Sequence, residues 1–206
     1  MDPRETKIAE AAIRIILRYG MARMTMNDVA QEAGVSRQTL YAIFASKEDL
    51  LRATIRFLVN RTVADITADF ARTTNLEERL DAVTQHIAVR SFELLRASPD
   101  ADDIVSGFNS ACKEELEDGT ARYRELIEQM LLPFSSNIES YGMTVQEVAD
   151  FIQKSTLTIK HEGKDIAHVK ALANTLKAMV LSVTIESANG IKNPVAGESL
   201  NGISAK

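Results

Sequence analysis

Arg37, Gln38 and Tyr41 fall within nine residues, "SRQTLYAIF", and bring together a guanidinium, an amide and a phenol. These groups suit nucleic acid. Arginine donates twice to guanine and glutamine pairs with adenine, while a phenol donates to a phosphate oxygen. At about 100° per residue, Leu40, Ile43 and Phe44 share one helical face, and Arg37, Gln38, Tyr41 and Ala42 occupy the other. The plain alternative is a short surface helix that is polar because water lies outside it. Lys47, at the start of the next helix, adds a cation where free backbone N–H groups already favour anions.

The neighbouring residues predict how this face is held. Ile8, Ala12, Ile15, Ile16 and Tyr19 recur at helical spacing over 4–19, and Gly20 follows as a C-cap. Thr25 has a capping side chain, and Val29, Ala30 and Ala33 mark a short second helix. "AGVS" is a tight turn in which Gly34 takes positive φ, and Ser36 caps the helix carrying Arg37. Ser46 opens a fourth helix with a capping box closed by Asp49. Two helices joined by a glycine-bearing turn of three or four residues form a helix-turn-helix. In that motif the second helix lies in the DNA major groove with its N-terminal residues against base edges.

Composition agrees with a soluble helical protein. The 206 residues allow one or two domains with a real core, and four prolines leave long helices uninterrupted. The net charge is −5, yet residues 1–56 sum to +2 and the rest to −7, so the amino-terminal part is the better suited to approach a polyanion. "MDPRETKIAEAAIRIIL" is charged from its start and does not read as a signal peptide. The longest apolar stretch, "AMVLSVTI", is too short to span a bilayer, so no membrane association is expected. A single cysteine, Cys112, fits a reducing cytoplasm.

Further helices are expected over 50–70, from Asn75 to a stop at "SPD", over 102–118 ending at Gly119, and over 121–140 with a kink at Pro133. Thr144 then caps a helix to about 160, Asp165 caps another to about 188, and 191–206 reads as a mobile tail. Catalytic patterns are missing: Gly163-Lys164 lacks the upstream glycine of a phosphate loop, and there is no HExxH or CxxC. His86, His161 and His168 lie on separate elements, so neither a metal nor a cofactor is expected. Nothing recommends an enzyme.

The stretch "MTMNDVAQEAGVSRQTLYAIFASKEDLL" resembles the DNA-binding segment of TetR-type transcriptional regulators, with the likeness running over about residues 5–56. The resemblance implies an all-α fold: an N-terminal three-helix domain with helix-turn-helix over 1–50, and a helical effector-binding and dimerisation domain over 51–190. It implies a homodimer that binds double-stranded operator DNA as a repressor and is released by a small-molecule effector. A helix-turn-helix protein without an effector is the alternative. By position, Thr25, Tyr41 and Lys47 match phosphate contacts, and Arg37 and Gln38, followed by Thr39, match the base-reading end. Ala42 and Ile43 depart from the aromatic or histidine residues common in the family, so those contacts do not carry over and the phosphate footprint is either smaller or made up by Arg23 and Arg52. The last two helices repeat apolar residues every three or four positions. With the resemblance, this suggests a dimer seam of Val148, Ile152, Ile159, Val169, Leu176, Val180 and Val183. Candidate effector contacts are His86, Phe92, Phe108, Tyr123, Met130 and Phe134, residue types equally at home in an ordinary core.

Overall fold

The computed structural model describes residues 2–98 and 100–184, apart from the side chains of Asp102, Asp103 and Asn109. The described residues are helical with no strand. The first four helices are α1 (Pro3–Tyr19), α2 (Met26–Ala33), α3 (Arg37–Ile43) and α4 (Lys47–Phe70). Asp2, Thr25, Ser36 and Ser46 each cap the helix that follows by accepting a backbone N–H. At Ser46 this bond comes from the Asp49 N–H at 3.0 Å, but the Asp49 carboxylate does not return to the Ser46 N–H, so the expected capping box is only half formed. Gly20 and Gly34 have φ of 80° and 62°, so both turns use backbone open to glycine.

The body comprises α5 (Leu76–Thr84), α6 (Arg90–Arg96), α7 (Ala101–Ala111), α8 (Lys113–Leu131), α9 (Ser135–Ser140), α10 (Val145–Glu162) and α11 (Ile166–Thr184). Between α5 and α6 the chain stays helical through a π-turn, Gln85–Val89, which apolar periodicity alone does not reveal. Pro133 does interrupt its helix: a 3-10 turn, Leu132–Phe134, separates α8 from α9.

One expected boundary is wrong. The chain breaks at Cys112, not at Gly119, which lies buried inside α8. A Cβ at Gly119 would stand 2.6 Å from Cγ2 of Val59, so the glycine admits α4 rather than ending a helix. The expected end of the last helix and the 191–206 tail lie outside the described residues.

Two apolar clusters divide the protein. The first joins α1–α3 to the N-terminal half of α4 and takes in Ile104 and Cys112. The second gathers the end of α4, the α5–α6 rod, α8, α10 and α11. The expected boundary at residue 50 therefore falls within one continuous helix, since α4 contributes Leu50 and Val59 to one cluster and Ile66 to the other.

Val148, Ile152, Ile159, Val169, Leu176 and Val180 all belong to this second cluster. They are buried against their own chain, so the expected seam is the inner face of α10 and α11. Only Val183 of that set is half-buried. The periodicity is real, but a period gives a helix face and not its partner.

Candidate nucleic-acid interface

Leu40 sets the orientation of α3: it is fully buried in the N-terminal cluster, with Phe44 buried and Ile43 packed beside it. At the start of α3, Ser36 Oγ accepts the Thr39 N–H at 3.0 Å, and the two hydroxyls lie 2.9 Å apart. Anchored in this way, α3 turns Arg37, Gln38 and Ala42 to solvent, and Tyr41 is 46% exposed. Neither Arg37 nor Gln38 has a hydrogen bond or ion pair to another described residue. Thr39 is half-buried.

Thr25 is exposed but committed. Its hydroxyl donates to the Asp28 carboxylate at 2.6 Å, and Asp28 also accepts the Thr25 N–H at 3.3 Å. Lys47 differs more from expectation. Its ammonium donates to the carbonyl oxygen of Met21 at 2.9 Å and of Ala22 at 3.4 Å. It therefore ties the start of α4 to the turn after α1, leaving one N–H for a phosphate. Of the two substitutes, Arg23 is exposed on that same turn. Arg52 instead lines a cleft with Glu5, Asp49, Arg56 and Glu115.

The turn after α1 is also in contact with the body. A Cβ on Gly20 would lie 2.9 Å from Oδ2 of Asp100, and one on Gly107 would overlap Met21. These contacts had no sequence signal, because they join residues about 80 positions apart.

Of the six expected effector contacts, Phe92 and Met130 are buried in the body's apolar cluster with Tyr123 and Phe134 packed against it, while His86 and Phe108 are not part of that cluster. His86 lines one surface cleft and Phe92 another. Met130 is buried in the body core, where Phe134 packs, Tyr123 touches both clusters, and Phe108 packs against the N-terminal one. Burial raises the Tyr123 phenol above its ordinary range, opposed by its hydrogen bond with Thr62. Burial likewise pushes the Cys112 thiol up to about 11, which leaves it protonated and unreactive near neutral pH. Among the described residues no group of three His, Cys, Asp or Glu is placed to hold a metal ion.

Residues 8–54 match the family of bacterial regulatory proteins, tetR family. The HTH-type transcriptional regulator BetI of Agrobacterium fabrum is 37% identical over 92 residues, which is 44% of this chain and 44% of that protein. BetI of Rhizobium meliloti is 37% identical over 84 residues, 40% of this chain and 41% of the relative. The chain thus matches less than half the length of these curated relatives. Solved structures extend the likeness of fold over the body. A TetR-family regulator from Rhodococcus sp. superposes with a TM-score of 0.67 at 19% identity, covering 90% of this chain and 100% of that one. FadR from Bacillus subtilis, solved in complex with stearoyl-CoA, gives 0.59 at 18% identity over 86% and 97% of the two chains.

Proposed function

We propose that this chain, whose residues 8–54 match the tetR family of bacterial regulatory proteins, is a homodimeric transcriptional repressor of the cytoplasm that leaves its operator when a small molecule binds. The observation that carries this reading is the unpartnered polar face of α3. Arg37 and Gln38 stand free at the capped end of a helix whose opposite side is buried. Those two residues read base edges, and Tyr41 donates to the backbone phosphate. Thr25 fixes the start of α2 and releases its hydroxyl proton from Asp28 to a phosphate on docking. Lys47 supports the head and has one donor left for DNA.

Dimerisation uses the outer side of α10 and α11. Phe151 is 50% exposed and Met179 is 55% exposed, and Ala171, Thr175 and Ala178 on α11 are also exposed. By length and composition α11 is long and apolar enough to cross a membrane, and 22% of its most apolar 18-residue window is buried in this chain. A second copy covers that small-residue face across a two-fold axis. Two heads then meet successive major grooves, roughly 34–36 Å apart.

The test is selection of bound fragments from genomic DNA by the full chain, followed by affinity measurement across a salt series. A palindromic site bound with a steep salt slope is expected. Binding with no sequence preference would replace the repressor with a general DNA-coating protein.

A further inference from the structure

A cleft of about 540 Å³ opens between the end of α4, the α5–α6 rod and α11. That volume suits a small-molecule site. Its apolar lining amounts to Ala82, Val89 and Ala173, so a long acyl tail would find no tunnel there.

Most charges around the cleft cancel in pairs. Buried His86, on the π-turn, hydrogen-bonds through Nε2 to the Asp69 carboxylate at 2.7 Å. That bond, with the nearby cations Arg72 and Arg90, holds Asp69 below the usual carboxylate range. Arg90 donates to His86 Nδ1 at 2.8 Å, so this nitrogen is the unprotonated one. Arg90 also faces Asp65 at 3.5 Å, and Lys177 holds Asp81 at 2.7 Å.

Two lining charges are left over. Glu78, on α5, and Lys170, on α11, have no ion pair among the described residues, nor with each other. Asn174, one turn beyond Lys170, lines the same wall and adds an amide donor. Opposite uncommitted charges on two walls of one cleft are completed by a molecule that carries both.

We propose that this cleft binds a small zwitterion, its carboxylate at Lys170 and Asn174 and its cationic nitrogen at Glu78. The proposal rests on the reading of the chain as an effector-regulated DNA-binding protein, and it assigns that effector a chemical class. Coupling to DNA follows from the floor of the site. Asp69 lines the cleft and belongs to α4, the helix whose other end carries Leu50 into the core of the reading head.

The probes are the straight-chain ω-amino acids from glycine to 6-aminohexanoate, titrated calorimetrically into the full chain without DNA. Alkyl carboxylates and alkyl amines of matched length run beside them. One amino-acid length should bind about tenfold or more tighter than either matched control. Lys170→Ala and Glu78→Gln should each weaken it by about tenfold while keeping the helical circular dichroism of the parent, since both side chains are exposed. The idea is overturned if no member of the series binds at millimolar concentration, if a one-charge control binds equally well, or if both variants bind like the parent. With no DNA in the cell, such a failure leaves the operator result standing. Failure to select an operator would in turn leave the calorimetry intact.

Discussion

Gln38 has no hydrogen-bond partner in the described chain, and Lys47 has two carbonyl acceptors. Their alanine variants should therefore differ in kind. Gln38→Ala should leave thermal stability unchanged, cost about 1–3 kcal/mol on the operator and relax preference at one position in each half-site. Lys47→Ala should lower folding stability by about 1–2 kcal/mol, because it removes a charged donor from the turn after α1. It should also weaken specific and random DNA alike. Denaturant melts paired with binding to operator and scrambled duplex, at one salt concentration, would check both. Sequence preference lost in Lys47→Ala but kept in Gln38→Ala would reverse the assigned roles.

At the level of elements, Gly119 sets local preference against packing. Glycine is a poor helix former, and alanine would gain up to about 1 kcal/mol in a free helix. In α8 the added Cβ would lie 2.6 Å from Cγ2 of Val59. Gly119→Ala should therefore destabilise the protein by about 1–2 kcal/mol despite its better propensity. Trimming the partner should remove the clash, so Gly119→Ala with Val59→Ala should show a favourable coupling energy. Urea unfolding of the four proteins of the cycle measures it. A stabilised Gly119→Ala single variant would mean that α4 and α8 lie farther apart than described. The same helix explains what was legible. Apolar spacing, caps and Pro133 announced most elements, since those signals act within a few residues. Gly119 pointed to a false stop because its reason lies on another helix. The π-turn at Gln85–Val89 left no mark on the apolar period at all.

For the whole molecule, neighbouring residues on α11 differ sharply in burial. Val180 is 3% exposed within its own core, and Met179 is 55% exposed. Met179→Asp should give a folded monomer that no longer binds its operator tightly, since two half-sites are no longer held together. Val180→Asp buries an unpaired carboxylate and should cost several kcal/mol of folding itself. Light scattering for mass and circular dichroism for fold separate the two outcomes. A fully dimeric Met179→Asp protein would remove this face from the proposed assembly.

The all-helical class, the caps at Thr25, Ser36 and Ser46, and the solvent-facing Arg37 and Gln38 were all determined by the sequence itself. Each depends on residues close in the chain: a hydroxyl reaching an N–H three positions on, or a face repeating every three or four residues. Which face meets which partner was decided only by tertiary structure. Val148, Ile152 and Val180 gave the right period and the wrong neighbour, because a helix presents its apolar stripe to whatever covers it. The tie from Lys47 to Met21 and the meeting of His86 with Asp69 are of the same kind. They join groups 26 and 17 positions apart, and that distance closes only when separate elements pack.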